Sequence, residues 1–353
     1  MRRLSGFMAL TMVAGFLALA APANASVTFW VHHGQSIQAA INAAHHGDRI
    51  VVTHGVYREA LQLRKDDITL EGHHAVIVPP EHAPNRLCTQ FGLSGICVLA
   101  KEVDPTTGVV EAPVSGDHIS GFTIRGFDGF GIMTYGSQWT VIRHNRAFNN
   151  ADYGITSFNS SHNSFIDNVA TGASEAGFYF GDSPQADAVI HGNVSHDNQF
   201  GFFIRDASHG VIRDNRSYEN CIGTLFLAGA PGPASDWTYT HNRVWDNDKA
   251  CPANPDEGSP PLSGIGVLLA GSDHVRVVRN WIARNHPGGP TPAAAGIAVI
   301  TSIAAPFAPV DNLVKHNVIL HNSPLDVIYD GTGSGNRFVD NLCATSTPAG
   351  ICH

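Results

Sequence analysis

The chain has 353 residues with a formal net charge of −9, and 14% of its residues are charged. An acidic surface repels nucleic acid, so we expect no nucleic-acid partner. The same balance disfavours polyanionic sugars unless a cation or a local basic patch neutralises them.

Residues 1–25 have the features of a secretory signal peptide. Arg2 and Arg3 precede an apolar stretch at 7–21, and the small-residue sequence Ala-Asn-Ala follows at 23–25. Cleavage before Ser26 leaves 19 basic and 30 acidic side chains, a formal charge of −11. No later stretch approaches the roughly 18 apolar residues of a membrane span. We therefore expect a secreted, soluble, monomeric protein with one domain over residues 26–353.

The first predicted element is an amphipathic helix at about residues 36–45. Ile37 and Ile41 are spaced for one helix face, Ser36 is a candidate N-cap, and Gly47 lies just beyond the end. A helix before an all-strand region would cover the open end of the fold. We therefore predict a capping helix.

Short apolar strands follow at 49–52, 68–70 and 75–78, separated by glycine and histidine turns. The segment 79–116 interrupts this rhythm with five prolines, which predicts a loop excursion from one coil. Regular strand patterning resumes at 118–124.

One phrase then repeats: an apolar run, one or two polar residues and an asparagine. The intervals are 23, 25, 22, 27, 38, 37 and 24 residues, for Asn145, Asn168, Asn193, Asn215, Asn242, Asn280, Asn317 and Asn341. A period in the low twenties without helices is typical of a solenoid. The two long intervals predict insertions at about 249–263 and 286–293.

Two further features recur in the coils. A glycine precedes an apolar strand at Gly131, Gly154, Gly177, Gly201 and Gly223, and a second asparagine follows many of the first ones by five residues. Asparagines stacked at corners would satisfy turn backbone groups and bond to the next coil, about 4.8 Å away. We therefore interpret both asparagine rows as scaffold.

Six cysteines in an exported chain favour disulfides over catalysis or zinc. Fifteen pairings exist, but two pairs are close in sequence, Cys88 with Cys97 and Cys343 with Cys352. The remaining pair, Cys221 and Cys251, would tie a regular coil to the insertion at 249–263.

The repeat resembles the right-handed parallel β-helix family, the pectin-lyase-like superfold. The sequence QSIQAAI at 35–41, followed by GDRIVV at 47–52 and GVYRE at 55–59, is similar to that family's N-terminal cap and first coil. The resemblance implies an all-β, right-handed parallel β-helix solenoid. It implies no single activity, because the superfold carries lyases, hydrolases, epimerases and adhesins.

Alignment on the glycines predicts which side chains share a face of the coils. Positions two and four after each glycine should point outward, and they include Tyr135, Phe158, Tyr179 and Phe203. These rings would form the floor of a groove on which sugar rings stack. Alternatively, the proline-rich segments fold back and bury this face as a second core.

Acidic residues gather beside this face. Asp152 and Glu175 should be neighbours about 4.8 Å apart, as an acid and base pair or a calcium site. Asp182 and Asp206 follow the next strand ends, and Arg205 adjoins Asp206. The alternative interpretation is that they are turn residues and a surface ion pair.

His196 is a further candidate base, because it is near Asp197 and within one coil of the carboxylates. Most of the other 19 histidines are expected in turns. A role in copper-site assembly fits the histidine count, but the chain has only four methionines, three of them in the proposed signal peptide, which argues against it.

The motifs of the familiar β-helix enzymes are mostly missing. The pectin hydrolases' Asp-Asp occurs only at 66–67, and the alginate epimerases' Tyr-Gly occurs at 135–136 and 153–154 without their Asp-Pro-His. The leading hypothesis is a secreted, carbohydrate-active protein, catalysing β-elimination or epimerisation of a uronic-acid polymer if it is an enzyme.

The hypothesis assigns roles to a few residues. A base, a group that neutralises the sugar carboxylate and a proton donor are needed. Tyr179 or His196 would be the acid or base, Arg205 the cation, and Asp152 with Glu175 an acid and base pair or a calcium site. The alternative is a non-catalytic polysaccharide-binding protein of the cell surface.

Overall fold

The chain winds into consecutive coils of parallel strands in a computed structural model that describes residues 26–255 and 258–352. The proposed signal peptide, residues 1–25, lies outside the described residues. Each complete coil contributes one strand to each of three sheets, and every strand pairs in parallel with its equivalent in the next coil. The predicted all-β solenoid is confirmed. No described helix is long and apolar enough to cross a membrane.

The first sheet contains the strands that precede the first asparagine of each coil. Three long strands bend at corners and serve two sheets each. The first-sheet strands are Thr28–Val31, Arg49–Val52, the first halves of Thr69–Val78 and His118–Arg125, Val141–Arg143, Ser164–Ile166, Ala188–His191, the second half of Phe200–Arg213, Ser235–Thr240, Arg276–Val278, Leu313–Lys315 and Arg337–Val339.

The second sheet contains the strands between the two asparagine rows. Its members are Gly55–Arg58, the second halves of Thr69–Val78 and His118–Arg125, Arg146–Phe148, Val169–Thr171, Val194–His196, Arg216–Tyr218, Arg243–Trp245, Trp281–Ala283, Val318–Leu320 and Leu342–Cys343.

The third sheet contains the strands that begin at or beside the repeated glycines. Its members are Leu61–Leu63, Ile96–Leu99, Ile132–Tyr135, Tyr153–Phe158, Ala176–Ser183, the first half of Phe200–Arg213, Ile222–Leu227, Ile265–Ala270, Ala295–Ile300, Leu325–Tyr329 and Ser346–Thr347. This sheet carries most of the predicted site.

The helix Ile37–Ala43 begins at Ser36, whose side chain accepts a hydrogen bond from the Ala39 amide. The Glu59 carboxylate also accepts hydrogen bonds from the first helical amides, and a negative charge there is favourable. Ile37 and Ile41 are buried in the main core. The helix ends at Ala44, before the predicted Gly47.

The segment 79–116 is only partly a loop. Its strand Ile96–Leu99 joins the third sheet, after the 3₁₀ helix Leu87–Phe91. A short antiparallel pair, Glu102–Val103 with Val110–Ala112, then stands out from the coil. The strand pair Val114–Ser115 and Ser137–Gln138 returns the chain to the regular coils.

Asparagine ladders hold the corners between the sheets. In the first ladder, the amide of Asn168 donates to Asn193 Oδ1 at 2.9 Å, and its Nδ2 donates to the same oxygen at 3.0 Å. Asn193 repeats both bonds to Asn215 in the next coil. Because each asparagine satisfies the buried backbone of its neighbour, the ladder is scaffold, as the spacing indicated.

Eight of the described histidines have positive φ values. His144 and His241 have φ values of +55° and +56°, a left-handed conformation that Asp, Asn and His tolerate better than most residues. Several contact an aspartate in the next coil, as His144 does with Asp167 at 3.6 Å. The histidine count therefore reflects turn geometry.

Candidate functional site

The register of the third sheet matches the alignment made on the glycines. Met133, Thr156, Tyr179 and Phe203 stack in one outward row. The next outward row stacks Tyr135, Phe158, Gly181 and Arg205 in the same way. The two rows therefore lie side by side on the outside of the solenoid.

A second apolar core covers much of this outward face. Tyr179 is 4% exposed and Phe203 is 3% exposed, and both belong to a cluster of buried apolar residues that includes Leu262 of the insertion. The Tyr179 ring contacts Phe158 at a centroid distance of 5.0 Å. These rings therefore do not form an open floor, although Phe158 and Tyr135 stay half-buried.

Three disulfides link the predicted pairs. Cys88 pairs with Cys97, Cys221 with Cys251, and Cys343 with Cys352. Cys221 and Cys251 are buried within the second core. The Cys221–Cys251 bond therefore holds the insertion over the third sheet.

The carboxyl ends of two adjacent third-sheet strands bring four polar groups together. Gly181 is the register partner of Arg205, so Asp182 and Asp206 follow at equivalent positions in neighbouring coils. An ideal Cβ on Gly181 would lie 2.0 Å from the Tyr179 hydroxyl oxygen, so that hydroxyl occupies the space that glycine leaves open. Arg205 Nε is 3.6 Å from Asp206 Oδ2.

Burial and charge perturb this group. Burial raises the pKa of Asp182, and the neighbouring Asp206 raises it further while Arg205 opposes the shift. Burial also raises the pKa of Tyr179, so its phenol stays protonated. Asp206 is 3% exposed and accepts a hydrogen bond from the Gly229 amide at 2.5 Å. Asp182 is therefore a stronger proton acceptor than an ordinary aspartate.

A cavity of about 610 Å³ opens beside Asp182. Tyr135 lines it and closes one side by donating a hydrogen bond from its hydroxyl to the Gly108 carbonyl at 2.7 Å. Ser160 and His209 also line the cavity. We call this the Asp182 cavity.

Asp152 and Glu175 lie at the opposite, amino-terminal edge of the third sheet. Their backbones are bonded directly, the Glu175 amide donating to the Asp152 carbonyl at 3.0 Å. Burial raises the pKa of Asp152, with a smaller contribution from Asp128. Both residues line a separate cavity of about 400 Å³ with Lys249, so they do not share the Asp182 cavity.

His196 lies on the second sheet, away from Tyr179 and Arg205. Its Nδ1 is 2.7 Å from Asp197 Oδ2, and its ring stacks on Tyr218 at 4.9 Å. The candidate ligand atoms of His196, Asp197 and Glu219 all lie within 4.8 Å of one another. His196 is therefore a poor partner for the third-sheet carboxylates.

Two residues beside the cavities were absent from the sequence prediction. His209 follows Asp206 by three residues at a corner, and this spacing could have indicated it. It was overlooked because many other histidines also occur in turns. Lys249 lies in the insertion, and burial lowers its pKa although Asp197 opposes the shift. No repeat position could have placed Lys249, because it belongs to a segment that the period does not describe.

Comparison with known proteins identifies the family. The model of the family "Right handed beta helix region" matches residues 107–194 and 130–319, which together span more than half of the chain. At the level of sequence alone, the chain matches none of the curated proteins.

Several solved structures share the fold. The Azotobacter vinelandii mannuronan C-5 epimerase AlgE4 A-module is 18% identical, with a TM-score of 0.61 over 86% of this chain and 83% of that one. A mutant of the periplasmic alginate epimerase AlgG is 15% identical, with a TM-score of 0.60 over 84% and 71%. Alginate lyase from Paenibacillus sp. str. FPU-7 is 12% identical, with a TM-score of 0.58 over 87% and 99%.

Proposed function

Because this chain belongs to the right-handed β-helix family, we propose that it is a carbohydrate-active protein that acts on an acidic polysaccharide outside the cytoplasm. Structural neighbours that are alginate epimerases and an alginate lyase support this class of substrate. Three disulfides support an oxidising compartment, in agreement with the signal peptide expected at 1–25.

The observation that carries the proposal is the grouping of Asp182, Arg205 and His209 at the carboxyl edge of the third sheet. Asp182 and His209 line one cavity, and Arg205 is close enough to Asp182 to influence its pKa. Removal of a proton beside a carboxylate requires a base, a cation and a second proton carrier.

In the proposed reaction, the Arg205 guanidinium pairs with the carboxylate of a uronic-acid residue and stabilises the charge that develops on it. The Asp182 carboxylate accepts the C5 proton, and its raised pKa makes it a stronger base than an ordinary aspartate. The C5–H electron pair then passes into the carboxylate as an enolate.

His209 serves as the proton donor in either outcome. If it returns a proton to C5 from the opposite face, the sugar is epimerised and the polymer stays intact. If the enolate collapses by breaking the C4–O bond, a C4–C5 double bond forms and the leaving oxygen takes the proton. The Tyr179 phenol is buried, so we assign it to packing over Gly181.

The non-catalytic alternative is favoured by one observation, the second core. Because Tyr179 and Phe203 are covered, the open surface for sugar stacking is smaller than the sequence suggested. A calcium requirement at Asp152 and Glu175 is less favoured, since the exposed Lys249 lines the same cavity and its ammonium would oppose a divalent cation there.

Proton abstraction can be measured without knowing which product forms. Polymannuronate, polyguluronate and polygalacturonate are incubated with the protein in D₂O, with and without calcium, and deuterium at C5 is measured by NMR. Absorbance of unsaturated products then separates elimination from epimerisation. Absence of both signals with every polymer would leave binding alone and refute the catalytic proposal.

Variants assign the signal to the site. Asp182→Asn and Arg205→Gln are expected to lower C5 exchange at least a hundredfold. Asp187→Asn is the matched control, because this half-exposed corner aspartate contacts His162 and lies outside the cavity lining. Since the pKa of Asp182 is raised, activity should fall on acidification at a higher pH than an ordinary aspartate would dictate.

A further inference from the structure

A group of cations lies at the corner between the first and second sheets, away from the third-sheet site. Arg216, Arg243 and Arg279 are exposed and Lys315 is half-buried, and they come from four consecutive coils. We call this group the basic corner. At about 4.8 Å per coil it extends about 14 Å along the solenoid.

These four cations are not neutralised by described side chains. None of them has an ion pair within 4.0 Å among residues 26–255 and 258–352, whereas Arg213 at the same corner pairs with Asp214 at 3.0 Å. Asp340, the other nearby aspartate, pairs with His316 at 3.2 Å. The corner therefore keeps an excess of positive charge on a chain whose net charge is −9.

Two of the arginines are direct neighbours. Arg216 and Arg243 are register partners on adjacent strands, and like charges at that position repel each other. Asp214 lies two residues before Arg216 and is paired with Arg213 at 3.0 Å. On the other side, Glu219 and Asp246 lie three residues beyond the arginines, which is about 10 Å along a strand. Asp246 is also bonded to Arg284 at 2.9 Å. These acids therefore screen the pair only weakly at physiological salt.

The arginine pair is flanked by stacked aromatic rings. Tyr218 and Trp245 are stacked with centroids 4.7 Å apart, and Trp281 follows in the arginine row of the next coil. The ring edges are half-buried, so they offer a fixed apolar border beside the guanidinium groups. Such a border limits the conformations of the arginine side chains before binding, so less side-chain entropy is lost when an anion binds.

From these observations we propose that the basic corner binds the carboxylates of an acidic polysaccharide and forms a second contact surface for a long polymer. An arginine guanidinium group can donate two parallel hydrogen bonds to a carboxylate. A carboxylate bound between two guanidinium groups one coil apart would also offset the repulsion between them. The inference rests on the proposed function only for the choice of a uronate polymer as the anion. Binding here involves no chemistry at the third sheet.

The experiment measures binding and C5 exchange separately on the full mature chain. The double variant Arg216→Gln with Arg243→Gln is compared with wild type for binding to immobilised long polymannuronate at several salt concentrations. The matched control is Arg58→Gln with Arg125→Gln, which removes the same charge from exposed, unpaired arginines on an early part of the second sheet. Neutral dextran and duplex DNA are the comparison ligands.

We expect the double variant to bind long polymannuronate about tenfold more weakly at low salt, with a reduced salt dependence. C5 exchange in oligomers too short to reach the corner should be unchanged. If the double variant loses affinity and neither it nor the wild type shows C5 exchange, the catalytic proposal is refuted while the inference about the basic corner is supported.

Three results would overturn the inference itself. One is unchanged affinity of the double variant for long polymannuronate. Another is an equal loss in the control, which would mean that net charge alone matters. The third is wild-type binding to duplex DNA that is as tight and as dependent on these arginines, which would assign the corner to polyanions in general.

Discussion

Replacing Asp117 with asparagine removes a buried carboxyl that titrates near neutral pH. Asp117 is 0% exposed, its Oδ1 accepts a hydrogen bond from the Ile68 amide at 2.8 Å, and its Oδ2 has no partner. Burial raises the pKa of Asp117 from 3.8 to about 8, and the charges of Asp66 and Asp67 add to the shift. The folded chain therefore holds this proton far more tightly than the unfolded chain does.

The sign of the pH dependence follows from that difference. Between pH 3.8 and about 8, the folded state keeps the proton that the unfolded state has released. The free energy of unfolding of the wild type should therefore fall by about 1.4 kcal/mol per pH unit as pH rises. Asp117→Asn has no carboxyl at this position and should lack this contribution to the pH dependence. The difference between variant and wild type should thus change by about 3 kcal/mol between pH 5 and pH 7 in favour of the variant.

Asparagine suits the position. Asp117, Thr140 and Asn163 occupy equivalent positions in consecutive coils, and Asn163 already makes ladder hydrogen bonds there. The assay is urea unfolding monitored by circular dichroism at several pH values. Asp187→Asn is the control, because Asp187 is half-exposed, contacts His162 and does not contribute to the pKa shift of Asp117. A difference between Asp117→Asn and wild type that stays constant from pH 5 to pH 8 would refute the reasoning.

Three other predictions concern stability. Gly181→Ala should lower the free energy of unfolding by about 1–3 kcal/mol, because the new Cβ would clash with Tyr179. In a double-mutant cycle with Tyr179→Ala the two costs should not add, and additive costs would contradict the contact. Asn193→Ala should cost about 3 kcal/mol in urea unfolding, because it leaves an amide of the previous coil without its acceptor. Cys221→Ser with Cys251→Ser should cost about 3 kcal/mol for a separation of 30 residues and expose the second core to a hydrophobic dye. An unchanged dye signal would mean that the insertion stays in place without the disulfide.

The sequence specified the scaffold because each coil repeats the same local requirements. A corner needs a side chain that satisfies buried backbone groups, and asparagine meets that requirement at every turn. The ladders through Asn168 and Asn193 therefore lie where the spacing placed them. Register follows from the same period, so the pairing of Tyr179 with Phe203 was predictable.

Other features of the candidate site depended on contacts between segments distant in sequence. The period indicated that Tyr179 points outward, but the insertion that buries it lies about 80 residues later and has no repeat pattern. The same is true of Lys249, which lines the cavity of Asp152 and Glu175 only through the folding of that insertion.

The sequence by itself therefore determined the solenoid and the rows of side chains on each face, and it favoured the three disulfide pairs that the structure contains. The tertiary structure decided which parts of the outward face stay open, because covering segments pack by shape and apolar area, and their docking is not encoded in a period. In the folded chain, Asp152 and Glu175 line a different cavity from Asp182. His196 lies on the second sheet, and Arg205 is exposed.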